Sequence, residues 1–97
     1  MSKLAIVATM QIAPGKRDEY LTLLVAHGRR CLENEPGTLK FEIMLPHDKA
    51  DTVMLYEVYA SKDAFDAHWN GESVQQIRRE SAGLMLDLSG VRCDLVE

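Results

Sequence analysis

The chain reads as an α+β domain of ferredoxin-like βαββαβ order, an antiparallel four-stranded sheet with helices on one face and a second copy of itself on the other. Three observations predict this. Apolar residues alternate with period two in four segments and recur at helical spacing in between. Pro and Gly punctuate the junctions. The strands also carry apolar or semi-apolar residues on both faces, although 97 residues supply helices for only one. A monomer this short buries about two-thirds of the surface its unfolded chain exposes, so the uncovered face predicts a sheet-to-sheet homodimer.

The first strand places Leu4, Ile6, Ala8, Met10 and Ile12 on one side and Ala5, Val7, Thr9 and Gln11 on the other. Ala13-Pro14-Gly15 stops it. From Lys16 to about Asn34 a helix is predicted, because Tyr20, Leu24, His27 and Cys31 form one stripe that Leu21, Leu23 and Leu32 widen. Glu35-Pro36-Gly37 ends this helix: the residue before Pro avoids the α region, and Gly turns freely. Leu39, Phe41, Ile43 and Leu45 alternate with Lys40, Glu42 and Met44 in a second strand, and the polar loop 46–51 is longer than a minimal hairpin turn. The third strand, 52–60, sets Leu55, Glu57 and Tyr59 against Tyr56 and Val58. Ser61 then caps a helix with Asp63 in its first turn, running to about Trp69. Asn70-Gly71 breaks it, and a short helix follows from Glu72 to about Ala82, ended by Gly83. Leu84 to Val96 is the fourth strand, with an interruption expected at Ser89-Gly90. No linker or repeat divides the chain, so 1–97 is one domain.

Fifteen acidic against eleven basic residues give a net charge of −4, which repels phosphate backbones. The pairs Lys16-Arg17, Arg29-Arg30 and Arg78-Arg79 read as solvated helix faces, so no nucleic-acid partner is expected. No apolar run approaches the roughly 20 residues that span a bilayer, and the first residues alternate instead of forming a signal-peptide core. No membrane association is expected. Cys31 and Cys93 lack CxxC spacing and read as reduced, buried thiols of a cytoplasmic protein. No His, Cys or carboxylate set shows metal-ligand spacing and no Gly-rich phosphate loop exists, so neither metal nor cofactor is expected.

Candidate chemistry gathers in "LYEVYASKDAFDAHW", residues 55–69. His68 is either a hydrogen-bonded, partly buried imidazole or an acid/base group able to exchange protons near neutral pH. Glu57 sits in a strand core, where a carboxylate either pairs with an Arg or shifts its pKa upward. If the two meet, Glu57 is expected to set the tautomer of His68. Tyr56, Tyr59, Trp69, Phe41 and Met10 are either core or the flat apolar walls of a pocket for a planar substrate. His27 reads as a core or rim His and His47 as solvated. With five methionines in the chain, a second outcome is open, in which Met10, Met44, Met54 and Met85 fill the pocket.

Glu35-Pro36-Gly37-Thr38-Leu39 followed by Phe41-Glu42-Ile43, then Leu55-Tyr56-Glu57-Val58-Tyr59 and Ala64-Phe65-Asp66-Ala67-His68, resembles the antibiotic biosynthesis monooxygenase domain, from about Leu4 to Val96. Within that family the chain looks most like small quinol-monooxygenase-type and signal-molecule-isomerase-type members. The resemblance implies a dimeric α/β barrel with one pocket per protomer between helices and sheet. It also implies one of several chemistries: metal- and flavin-free oxidation of quinols or phenols by O₂, isomerisation of a small phosphorylated sugar-like signal, or haem degradation. Haem-degrading members place an Asn on the first strand, a Trp on the second helix and an iron-ligating His one helix later. Here Ala8, His68 and Arg78 stand at those places, with Trp69 one residue beyond, and Arg78 cannot ligate iron.

The expected function is therefore a cofactor-independent monooxygenase acting on a small quinol or phenolic aromatic, or quinone-like, molecule. His68 would be the base, and Tyr56 or Tyr59 the donor to the developing oxyanion. An enolising isomerase of a small signal metabolite needs the same parts, and a non-catalytic small-molecule-binding barrel needs only the frame. A cavity of a few hundred Å³ between helix 61–70 and the sheet separates the enzyme readings from the methionine-filled one.

Overall fold

Period-two alternation and helical stripes become elements where the sequence predicts them. The computed structural model describes residues 2–97. Its elements are β1 (Leu4–Ile12), α1 (Arg17–Asn34), β2 (Thr38–Met44), β3 (Thr52–Tyr59), α2 (Lys62–Trp69), α3 (Glu72–Glu80) and β4 (Met85–Asp94). The strands form one antiparallel sheet in the order β2-β3-β1-β4, the ferredoxin-like arrangement with its second helix split in two.

Residues directly opposite one another on paired strands share a face, so the register draws rows across the sheet. One row is Phe41, Glu57, Ile6, Arg92; the next is Glu42, Tyr56, Val7, Val91, on the opposite face. The first face carries the core: Ile6, Ala8, Met10, Ile12, Val53, Leu55 and Tyr59 pack against Tyr20 and Leu24 of α1, Phe65 of α2 and Ile77 of α3. Burying a side chain such as Leu24 or Val53 stabilises the fold by about 1.5–3 kcal/mol. Both are fully buried, as are Tyr59, Met10 and Cys31.

The connections explain how the helices reach the sheet. The Ser61 hydroxyl accepts a hydrogen bond from the Ala64 amide at 3.1 Å, as an N-cap should. Gly37 lets the α1–β2 turn lie against α2, because a Cβ there would overlap that of Ala64. Gly15 and Gly83 adopt positive φ, 75° and 83°, at the turns into α1 and β4.

Two expectations need correction. β4 runs unbroken through Ser89-Gly90, pairing Gly90 with Ala8, since the ladder uses backbone groups that glycine also carries. Cys93 is exposed on β4, unlike buried Cys31: its alternation puts it on the sheet face that no helix covers, in line with Ala5 and Val58. That open face also presents Val91 and Met44, which are 62% and 39% exposed, and the half-buried Val7, Met54 and Tyr56. Among the described residues no helix is long and apolar enough to cross a membrane.

Candidate functional site

Between the helices and the sheet lies a cavity of about 410 Å³. The sheet contributes Ile6, Ala8, Leu55 and Glu57, α2 contributes Phe65, His68 and Trp69, and α1 contributes Leu24 and His27. The remaining wall comes from Val74, Ile77 and Arg78 of α3 and Met85, Leu88 and Arg92 of β4. The last turn of α2 aims His68 inward because Phe65, one turn earlier, is anchored in the core beneath it. A second, more open depression of about 390 Å³ lies between α1 and β2, with Arg29 and Glu33 as its charged residues.

His68 is buried, and its two nitrogens have different neighbours. Nδ1 lies 2.8 Å from Glu35 Oε1, which also accepts from the Thr38 hydroxyl at 2.7 Å. An acceptor-only carboxylate requires the imidazole to donate through Nδ1, so in the neutral ring Nε2 is the acceptor. Nε2 faces Glu57 Oε1 across 3.7 Å, too far for a hydrogen bond. Glu57 Oε1 instead accepts from the Tyr59 hydroxyl. Glu35, not Glu57, therefore sets the tautomer of His68, contrary to expectation, and Glu57 has no Arg partner among the described residues.

Burial dominates the electrostatics. It raises the pKa of Glu57 above the ordinary carboxylate value, opposed by the Tyr59 hydrogen bond and by His68. Burial and Glu57 also push the Tyr59 phenol well above its usual range. His27 is held down to about 4 by burial, then by His68 and Arg30. The Cys31 thiol is pushed up to about 12, chiefly by burial, and stays protonated at neutral pH.

Of the residues expected in the site, Glu57, His68, Phe41 and Trp69 line the cavity. Three do not. Tyr59 is fully buried beneath it: its hydroxyl donates to Glu57, and its ring packs against those of His68 and Phe65, with centroids 5.1 and 5.2 Å away. Met10 is packed into the core next to Val53, its register partner, and the volume expected for methionine filling is left open. Tyr56 lies on the opposite sheet face from Glu57, as strand parity demands, so it cannot donate to a group in the cavity. Met44 and Met54 lie on that far face as well, and only Met85 reaches the cavity.

Sequence reasoning missed Glu35, Phe65, His27, Arg78 and Arg92 as site residues. Glu35 stood in the EPG motif, where it read as helix-ending punctuation, and nothing local links it to His68, 33 residues away. His27 was signalled by its place on the α1 stripe. Cys31 lies one turn further on, and the ligating atoms of His27, Cys31 and His68 lie within 4.8 Å of one another, all three buried. This corrects the expectation that no His or Cys set has metal-ligand spacing. Cys31 Sγ lies 3.7 Å from both ring nitrogens of His27. His27 Nδ1 is also engaged with the Ser73 hydroxyl at 2.8 Å, and that hydroxyl accepts from Arg30 Nε at 2.9 Å.

The model of the antibiotic biosynthesis monooxygenase family matches residues 4–80. Among solved structures, provisionally named antibiotic biosynthesis monooxygenases are similar to this chain. That of Caulobacter crescentus superposes with TM-score 0.91 at 22% identity, covering 99% of this chain and 92% of that one. That of Nitrosomonas europaea gives 0.91 at 19%, covering 98% and 91%. A third, from Chloroflexus aurantiacus, gives 0.85 at 23%, covering 99% and 95%. At such identities the likeness concerns the fold. No curated protein matches the chain in sequence.

Proposed function

The chain belongs to the antibiotic biosynthesis monooxygenase family, and on that premise we propose that it oxygenates a small quinol or phenolic aromatic directly with O₂, as a homodimer joined through its open sheet face. One observation carries the reaction: a buried imidazole, oriented by Glu35 at 2.8 Å, turns its acceptor Nε2 toward an apolar, aromatic-walled cavity of about 410 Å³.

The chemistry needs a base, a donor and a dry pocket. His68 Nε2 takes the phenolic proton, and Glu35 stabilises the resulting imidazolium. An electron-rich, hydrogen-bearing ring carbon ortho or para to the phenolate then bonds O₂, and the peroxide takes the proton back from His68 to become a hydroperoxide. Loss of water, with cleavage of the O–O bond and of that carbon's C–H bond, leaves a quinone; phenol plus O₂ becomes quinone plus water. Glu57, whose raised pKa favours its protonated form, donates to the substrate oxygen as charge develops there. Glu57 thus takes the role expected of Tyr56 or Tyr59. The volume left unfilled by methionine supports a reacting site over a plugged barrel.

The test is oxygen uptake and product formation with a panel of quinols and hydroxylated aromatics. His68→Ala is expected to lower turnover about 10²–10⁴-fold, the usual cost of removing an acid/base group, and Glu57→Gln by a smaller factor. If wild type turns over a substrate and both folded variants match it within about threefold, the assignment of the pair is wrong.

A further inference from the structure

The cavity is apolar along its walls, yet cationic at its mouth. Arg78 of α3 and Arg92 of β4 both line it and both reach solvent, in a chain whose net charge is −4. The Arg78 guanidinium carbon stands 4.6 Å over the Trp69 ring, and that of Arg92 stands 4.7 Å over Phe65. The two rings stack on each other, centroids 6.0 Å apart with 26° between their planes. Among the described residues neither guanidinium has a carboxylate oxygen within 4.0 Å.

This arrangement has a chemical consequence. Stacking uses the face of a guanidinium and leaves its in-plane N–H groups as a fork, the geometry that binds a carboxylate or phosphate through paired hydrogen bonds. Each guanidinium sits over one of the two stacked rings, and among the described residues no carboxylate within 4.0 Å competes for its N–H groups. Arg92 also shares the row of Glu57 and Ile6, two strand spacings from Glu57, or about 10 Å. A ring held beside His68 and Glu57 can therefore carry a substituent to the mouth.

We infer that Arg78 and Arg92 form an anion-binding rim, and that the substrate is an aromatic acid, a hydroxylated planar ring inside the cavity bearing a carboxylate or phosphate at its mouth. The hydroxyl rests on the proposed oxygenation; the rim is a property of binding alone.

Calorimetric titration with 1-naphthol, 1-naphthoate and 1-naphthyl phosphate tests the rim without turnover. Wild type is expected to bind at least one of the two anions about tenfold or more tightly than naphthol, and the two anionic arms tell carboxylate from phosphate. That preference should shrink in Arg78→Gln and in Arg92→Gln while naphthol affinity holds, and it should weaken as salt screens the rim. Naphthol binding as tightly as both anions, or an anion preference that survives both substitutions, overturns the inference. If circular dichroism shows that a variant has not folded, the salt series on wild type decides, and a preference unchanged from low to high salt overturns it. Anion preference without oxygen uptake on hydroxylated naphthoates keeps the rim and removes the oxygenase reading. Oxygen uptake on neutral phenols without anion preference does the reverse.

Discussion

The two faces of the sheet are built from the same strands, one residue out of phase, and they do opposite things. The face under the helices carries Glu57, and above it His68, Glu35 and His27, each polar group placed against a partner such as Tyr59, Thr38 or Ser73. The open face carries Val7, Tyr56 and Val91 in one row, with no helix over them. A buried polar group is tolerated where another element brings it a hydrogen bond, and only the helix side has such elements. The open side has apolar area to hide and, among the described residues, no helix to hide it, as would suit a second copy. Period-two alternation thus divides each strand between a face that lines the cavity and a face that stays open.

The largest effect expected from breaking this division is on assembly. Light scattering at micromolar concentration should report about twice the 10.9 kDa chain mass for wild type. Val7→Asp would bury an unpaired charge in a sheet-to-sheet interface, a penalty of several kcal/mol per ion, and should give a monomer. A wild type that is already monomeric would show that the open face has no such partner.

A smaller effect sharpens the helix side. His27 is held down to about 4 from 6.5 in the folded state, so between those values the unfolded chain binds more protons. Its contribution is present above pH 6.5 and is lost as pH falls from there through 4, by at most about 3 kcal/mol. Glu57 acts with the opposite sign, because a raised carboxylate pKa lowers stability as pH rises above the ordinary carboxylate value. Urea midpoints at pH 4.5, 5.5 and 7 should fall steeply toward acid for wild type and less steeply for His27→Gln. Parallel curves would mean that His27 does not control the acid limb.

The smallest effects compare two tyrosines three residues apart. Tyr59→Phe removes the hydroxyl that Glu57 accepts and should cost about 1 kcal/mol in urea unfolding, with altered turnover. Tyr56→Phe, on the far face, should change turnover less than threefold in a variant that remains dimeric. A large loss of turnover in Tyr56→Phe would move the reacting group to the wrong side of the sheet.

Local rules were enough to make most of the fold legible. The stripe Tyr20, Leu24, His27 and Cys31 is buried as its spacing required, Pro36 and Gly37 end α1, and Ser61 caps α2. Each depends on neighbours within a turn or two, where sterics and amphipathic period act without reference to the rest of the chain. The place of Tyr56 was legible too, since the same alternation that set Glu57 apart from Val58 sets it apart from Tyr56. Glu57 and His68 could be nominated from the sequence because a carboxylate on a strand and an imidazole at a helix end stand out among apolar neighbours. Which groups they meet could not. Glu35 reaches His68 across 33 residues, and Arg78 and Arg92 converge on one mouth from a helix and an edge strand. Such contacts depend on how α1 and α2 cross the sheet and on the register of β4 against β1, which are set by side-chain packing over the whole core and leave no periodic trace in the residues that meet.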